Sequence, residues 1–154
     1  AWPRAYWVPA AASAETEAQA MALMKKINPR TTVVLTTTDQ VESAVDEKAR
    51  LLPASIRTYQ PDLVELEVAA EAPGWLVLSD RFYPGWSAAV EGEPARIYLA
   101  NALVRAVRVP HGSHLVEFRF EPKPLLTGAL ISCACWLFLI GLFAVPGMRR
   151  GFKA

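Results

Sequence analysis

The stretch "HLVEFRFEP" (114–122) places Val116, Phe118 and Phe120 on one side of an extended chain and Glu117, Arg119 and Glu121 on the other. A period of two is the pattern of a half-buried strand with one wet face. "DLVELEVAA" (62–70) repeats it, with Val64, Leu66 and Val68 alternating against Glu65 and Glu67. Between the two lie "GWLVLSD" (74–80), "WSAAVEG" (86–92), "ARIYL" (95–99) and "ALVRAVRVP" (102–110), parted by Pro and Gly clusters. Short strands at this spacing predict a mainly β domain, an antiparallel sandwich. Upstream, "TTVVLT" (32–37) is a further β-branched run, and "VESAVDEKARLLP" (41–53) reads as a loop with at most a helical turn.

One segment breaks the pattern. In "SAETEAQAMALMKKINP" (13–29), Ala20, Leu23, Met24 and Ile27 recur at three- and four-residue spacing, acids open the stretch, Lys25 and Lys26 follow, and Pro29 stops it. This predicts an amphipathic helix over about 14–27, with Ser13 as N-cap and Met21, Leu23 and Met24 on its core face.

A second helix is predicted on different grounds. From Leu125 to Gly147 the chain carries no charged residue. As a helix, that run would be about 34 Å long at ~1.5 Å per residue, against a hydrocarbon core of ~30 Å. The reading is a transmembrane helix over 125–147. Arg149, Arg150 and Lys153 crowd its far end while Lys123 stands alone on the other, so the tail 148–154 is expected in the cytoplasm and residues 1–124 outside. The chain opens Ala1-Trp2-Pro3 with no export signal before this exterior domain, which leads us to expect a C-terminal portion of a longer membrane protein.

Composition narrows the remaining classes. The 154 residues are 53% hydrophobic and 20% charged, with a net charge of +1. Without a basic stripe, nucleic acid is not an expected partner. Both cysteines, Cys133 and Cys135, fall inside the apolar run, so the exterior domain must be held by a hydrophobic core and not by disulfides.

The residues with chemical potential cluster around "DRFYPGW" (80–86). Pro84 and Gly85 suit the centre of a tight turn, and Tyr83 and Trp86 flank it. Such rings stack on sugars, but a sandwich also needs large core residues, and the core reading is favoured for this corner and for Trp75. Asp80 with Arg81 reads as a solvated turn pair. Asn101 suits a turn-holding side chain, and Arg105 a partner for Glu117 or Glu121 on a neighbouring strand; contact with an anionic head group is the alternative for both. His111 and His114 have H-x-x-H spacing on a turn and not on a helix, which favours a structural role over a metal site. No phosphate loop or nucleophile elbow is present.

Taken together, the Tyr83 to Trp86 turn, Val90 with Gly92, Asn101 with Arg105 to Val107, Val109 to His114, and Val116 to Phe118, running into a terminal apolar helix, resemble the C-terminal end of the bacterial YfhO family of polytopic membrane proteins. The opening "WPRAYWVP" (2–9) is similar to that family's proline-arginine strand. The resemblance implies a C-type glycosyltransferase architecture, using polyprenyl-phosphate-linked sugars at the outer face of the cell (inner) membrane to decorate cell-envelope glycans or lipids. It carries no catalytic residue into this chain: the family's acidic residues, and any divalent metal they hold, belong to loops between early membrane helices. No cofactor is therefore expected within these residues. The expected partners are the lipid bilayer, the preceding membrane helices, and a glycan or lipid-linked sugar, with Asp80, Tyr83, Trp86, Asn101 and Arg105 as candidate contacts. The rival expectations are a single-pass, non-enzymatic surface module binding glycan or protein, and a hydrolase in which Asp80 and a histidine converge.

Overall fold

Residues 5–8 form a strand buried at every position, β1 (Ala5–Val8). The computed structural model describes residues 2–39, 41, 50–121 and 123–144, the side chains of the last stretch over 131–141. After β1 come β2 (Ala10–Ala14), α1 (Glu17–Met24), β3 (Thr32–Thr36), β4 (Leu52–Pro53), β5 (Ser55–Tyr59) and β6 (Leu63–Ala70). Then follow β7 (Gly74–Arg81), β8 (Trp86–Val90), β9 (Glu93–Ala95), β10 (Ile97–Ala100), β11 (Val104–Val109), β12 (Gly112–Phe120) and α2 (Lys123–Ala144).

The strands make two sheets. One has seven strands in the order β2-β3-β10-β11-β7-β1-β4, the other five in the order β5-β6-β12-β8-β9. They share a core: Trp7, Leu76, Leu78, Val107 and Val109 of the first pack with Val64, Leu66, Val68, Val116 and Phe118 of the second. The alternation in 62–70 and 114–122 is the cause, since the apolar sets of β6 and β12 are buried while Glu67 and Arg119 face outward. The second face of the seven-stranded sheet is apolar too, with Tyr6, Val8, Val33, Leu35, Trp75 and Val77 buried there. Both faces of β1 and β7 are thus covered, and β3 buries Val34 on its other face with Ala20 of α1, which is why these sequences run apolar without alternating.

The mainly β architecture stands, with one correction to its antiparallel character: β2 and β3 pair in parallel, joined through α1. Parallel neighbours need a crossover, and the helix supplies it. The helix is also shorter than the expected 14–27. Ser13 lies in β2, so it cannot be the cap, and Thr16 takes that place by accepting the Gln19 backbone N–H at 3.2 Å. Ala20 is the buried residue of α1, with Leu23 and Ile27 against the same cluster; Met21 is 53% exposed and Met24 also faces out, contrary to the expected core face.

Two crossings between sheets bear on function. The chain leaves the first sheet at the end of β7, turns through 82–85, and enters the second as β8. It returns at Arg96, so the segment expected as one strand over 95–99 is divided between β9 and β10. Between β8 and β9, Glu91 (φ 52) and Gly92 (φ 81) form the two-residue left-handed turn that matches strand twist. Of the stretch 41–53, residues 42–49 lie outside the described residues, and Leu52–Pro53 pairs with β1.

Helix α2 belongs to a second unit, distinct from the β domain. Among the described residues, no helix is long and apolar enough to cross a membrane. The spanning segment expected over 125–147 is therefore represented by a helix over Lys123–Ala144 whose described side chains, 131–141, are all exposed; 145–147 and the tail 148–154 lie outside the described residues.

Candidate functional site

Where β7 leaves the first sheet, its pairing with β11 shifts. Val104 stands opposite Arg81, but Arg105 stands opposite Leu78, so Ser79 and Asp80 are accommodated as a bulge. Bulges re-aim side chains, and this one sets the Asp80 carboxylate toward three groups at once. Asp80 Oδ1 accepts from Arg4 Nε at 3.0 Å and pairs with Arg4 Nη2 at 2.9 Å. Its Oδ2 accepts the Tyr59 hydroxyl at 3.0 Å and lies 3.7 Å from Arg105 Nη2. Arg4 stacks on the Tyr59 ring, its guanidinium carbon 4.2 Å from the centroid, and Arg4 Nη2 also bonds the Tyr59 hydroxyl.

Arg105 shares a sheet face with Val107 and Val109, so its side chain enters the space between the sheets. It is 2% exposed, and its guanidinium carbon sits 3.9 Å over the Trp86 ring and 5.4 Å from that of Phe118. Cation–π contact compensates part of the lost hydration. Burial nevertheless pushes the guanidinium below its ordinary pKa, with Asp80 first among the groups pulling it back up. Among the described residues Arg105 Nε and Nη1 have no hydrogen-bond partner, and the indole Nε1 of Trp86 has none either.

The Tyr83–Trp86 turn closes this end. Gly85 has φ +108, the conformation the second central position of a Pro-Gly turn requires, and a Cβ there would lie 2.6 Å from the Phe120 ring. Tyr83, Trp86 and Phe120 form a cluster with centroid separations of 5.4 to 6.1 Å, Tyr83 edge-on to both other rings and Trp86 tilted 45° to Phe120. Trp86 contributes to the core, as expected of the corner; Tyr83 is 44% exposed and does not.

These residues line a cleft of about 520 Å³, a volume suited to a small ligand, walled by Tyr59, Asp80, Arg81, Tyr83, Trp86 and Arg105 and floored in part by Val64. Four of the five expected contacts thus converge. Asn101 does not line it. With φ 48, Asn101 ends β10 and bonds Val34 twice, donating its N–H to the Val34 carbonyl at 2.7 Å and accepting the Val34 N–H on Oδ1 at 3.0 Å. It holds a turn and extends the pairing of β3.

Arg105 pairs with Asp80 and not with Glu117 or Glu121, and Asp80 is engaged across strands and not with its neighbour Arg81. Neither histidine lines the cleft. His114 Nε2 lies 3.1 Å from the His111 carbonyl oxygen, a local backbone bond, and Nδ1 is 3.7 Å from the Glu91 carboxylate. Among the described residues no group of three or more His, Cys, Asp or Glu could hold a metal.

Sequence reasoning missed Tyr59 and Arg4. Both had a signal: an aromatic directly ahead of Gln60-Pro61-Asp62, and an Arg directly before the apolar run Ala5-Tyr6-Trp7-Val8. A larger groove of about 620 Å³ lies beside α1, lined by Ser13, Glu15, Gln19 and Leu23 among others, without an aromatic or a cation. The chain matches no protein-family model, no curated protein and no solved structure.

Proposed function

We propose that residues 1–124 are the extracytoplasmic domain, 125–147 the membrane helix, and 148–154 the cytoplasmic tail of a YfhO-like glycosyltransferase of the bacterial cell membrane. In this reading the domain holds a saccharide of the donor or acceptor in the cleft beside the Tyr83–Trp86 turn. Transfer from a polyprenyl-phosphate sugar to an envelope glycan or lipid is the work of residues outside this chain.

The observation that carries the proposal is the convergence of Tyr59, Tyr83 and Trp86 with Asp80, Arg81 and Arg105 on one cleft. Aromatic rings offer a flat apolar surface to a pyranose, and charged side chains around them bond its hydroxyls. The charge-free run 125–147 and the apolar, exposed positions Ile131, Trp136, Leu137, Phe138 and Ile140 supply the reason for the membrane assignment.

The test is a calorimetric titration of the full chain in detergent micelles with glucose, N-acetylglucosamine, glucuronate and glucose 1-phosphate. At least one should bind saturably, and Tyr83→Ala should weaken it by roughly 3- to 10-fold, the worth of one aromatic contact. Tyr83 is 44% exposed but packs on Trp86 and Phe120, so its removal should cost about 1 kcal/mol of stability and leave the domain folded. Absence of binding by all four sugars would overturn the saccharide reading.

A further inference from the structure

Three buried nitrogen donors on residues that line the cleft have no acceptor among the described residues: Nε and Nη1 of Arg105, and Nε1 of Trp86. They belong to two side chains in direct contact, the guanidinium carbon lying 3.9 Å from the indole centroid. Buried donors are ordinarily satisfied, because an unpaired one forfeits its bond to water. All three unpaired groups are donors, so the group that suits them is an acceptor.

Charge points the same way. Arg81 and Arg105 line the cleft and Arg4 pairs with Asp80 beside it, and among the described residues Asp80 is the one carboxylate lining it. That carboxylate is already committed, Oδ1 to Arg4 and Oδ2 to the Tyr59 hydroxyl, and reaches Arg105 only at 3.7 Å. Ordered water would satisfy donors without balancing the surplus positive charge, whereas an oxyanion does both. A planar guanidinium fork is suited to the paired oxygens of a carboxylate or phosphate.

We infer that the saccharide held in the cleft is anionic, a sugar ring bearing a carboxylate or phosphate that accepts from Arg105 and the Trp86 indole, with Arg81 at the mouth. The inference rests on the saccharide reading above and adds its charge class. Two sources share this chemistry, an acidic glycan and a sugar phosphate.

The experiment uses the full chain in detergent micelles, titrated in parallel with glucose, glucuronate, glucose 1-phosphate and inorganic phosphate. One charged sugar should bind at least about tenfold more tightly than glucose, the value of one charge-assisted hydrogen bond. Tighter glucuronate assigns the acidic glycan; tighter glucose 1-phosphate assigns the sugar phosphate. Arg105→Met should abolish the preference, Trp86→Phe should reduce it while keeping an aromatic ring, and Arg81→Gln should reduce it from an exposed position. If Arg105→Met does not fold, the last two carry the test.

Equal affinity for glucose and both charged sugars would overturn the anionic inference and leave the saccharide reading standing. Inorganic phosphate binding as tightly as glucose 1-phosphate would overturn it differently, by making the sugar ring irrelevant. Failure of every sugar would remove both readings.

Discussion

Arg105 holds a full charge between two apolar sheets, and its energetics differ from those of an ordinary ion pair. A cation with a lowered folded pKa binds protons less readily folded than unfolded. Its charged form therefore subtracts stability at every pH below the folded value, and the penalty fades only as the pH rises through it. In neutral solution the penalty is fully present. Arg105→Met keeps an apolar stem against Trp86 and Phe118, and leaves Asp80 paired with Arg4 and Tyr59. Urea unfolding should show this variant as stable as the parent or up to about 2 kcal/mol more so, in the manner of other buried charges replaced by apolar groups. A loss of stability would show the guanidinium to be structural. Gly85→Ala has the opposite expectation: φ +108 disfavours any Cβ, and this one would meet Phe120, so a loss of about 1–3 kcal/mol should appear in the same measurement. At this scale, Asp80, Tyr83 and Trp86 were legible because ionic and aromatic residues flank a Pro-Gly turn, and Arg105 because it is a charge within a strand. The partners of Arg105 were not. Choosing Glu117 or Glu121 assumed that β12 lies beside β11, whereas β11 sits between β10 and β7, and strand order is set by long-range pairing that no local pattern encodes.

Strands that alternate or run apolar could be read from the chain, and those that do neither were lost. β6, β7, β11 and β12 fall within two residues of their expected bounds, because a half-buried strand or a long apolar one leaves its period in the sequence. β5 left none: four of its five residues are exposed, and it is held as an edge by pairing with β6 and by Arg57–Glu67 and Thr58–Glu65 contacts. β2 was hidden for another reason. Its sequence, Ala-Ala-Ala-Ser-Ala, has the composition of a helix start, and its extended state comes from the parallel ladder with β3, a tertiary override of propensity. The displaced helix start has a measurable consequence. Thr16→Ala removes the side-chain oxygen that accepts the Gln19 N–H, and should cost about 1 kcal/mol by urea unfolding; Ser13→Ala, within β2, should not remove a helix cap.

The β domain and α2 form two units with opposite demands on solvent. The domain carries its charges outward on β6 and β12, while α2 exposes Trp136, Leu137, Phe138 and Ile140. Under the proposed topology the chain should stay with membranes through alkaline carbonate extraction. Leu137→Arg, in the middle of the apolar run, should release part of it, since an arginine at the centre of a spanning helix costs about 2.5–3.5 kcal/mol on insertion. Unchanged retention would place that residue outside the hydrocarbon layer. The burial of β1, one strand in from the edge of its sheet, has a separate consequence, for the time the molecule takes to form. Its partners β7 and β4 lie at 74–81 and 52–53, and the sheet is continued by β11 at 104–109. During synthesis at ~5–20 residues per second, Trp7 and Val8 leave the ribosome on the order of ten seconds before the last of these strands. For that interval one of the most buried segments of the finished protein waits for the sheet that covers it, its own partners coming with β4 and β7 and the continuation of the sheet only with β11.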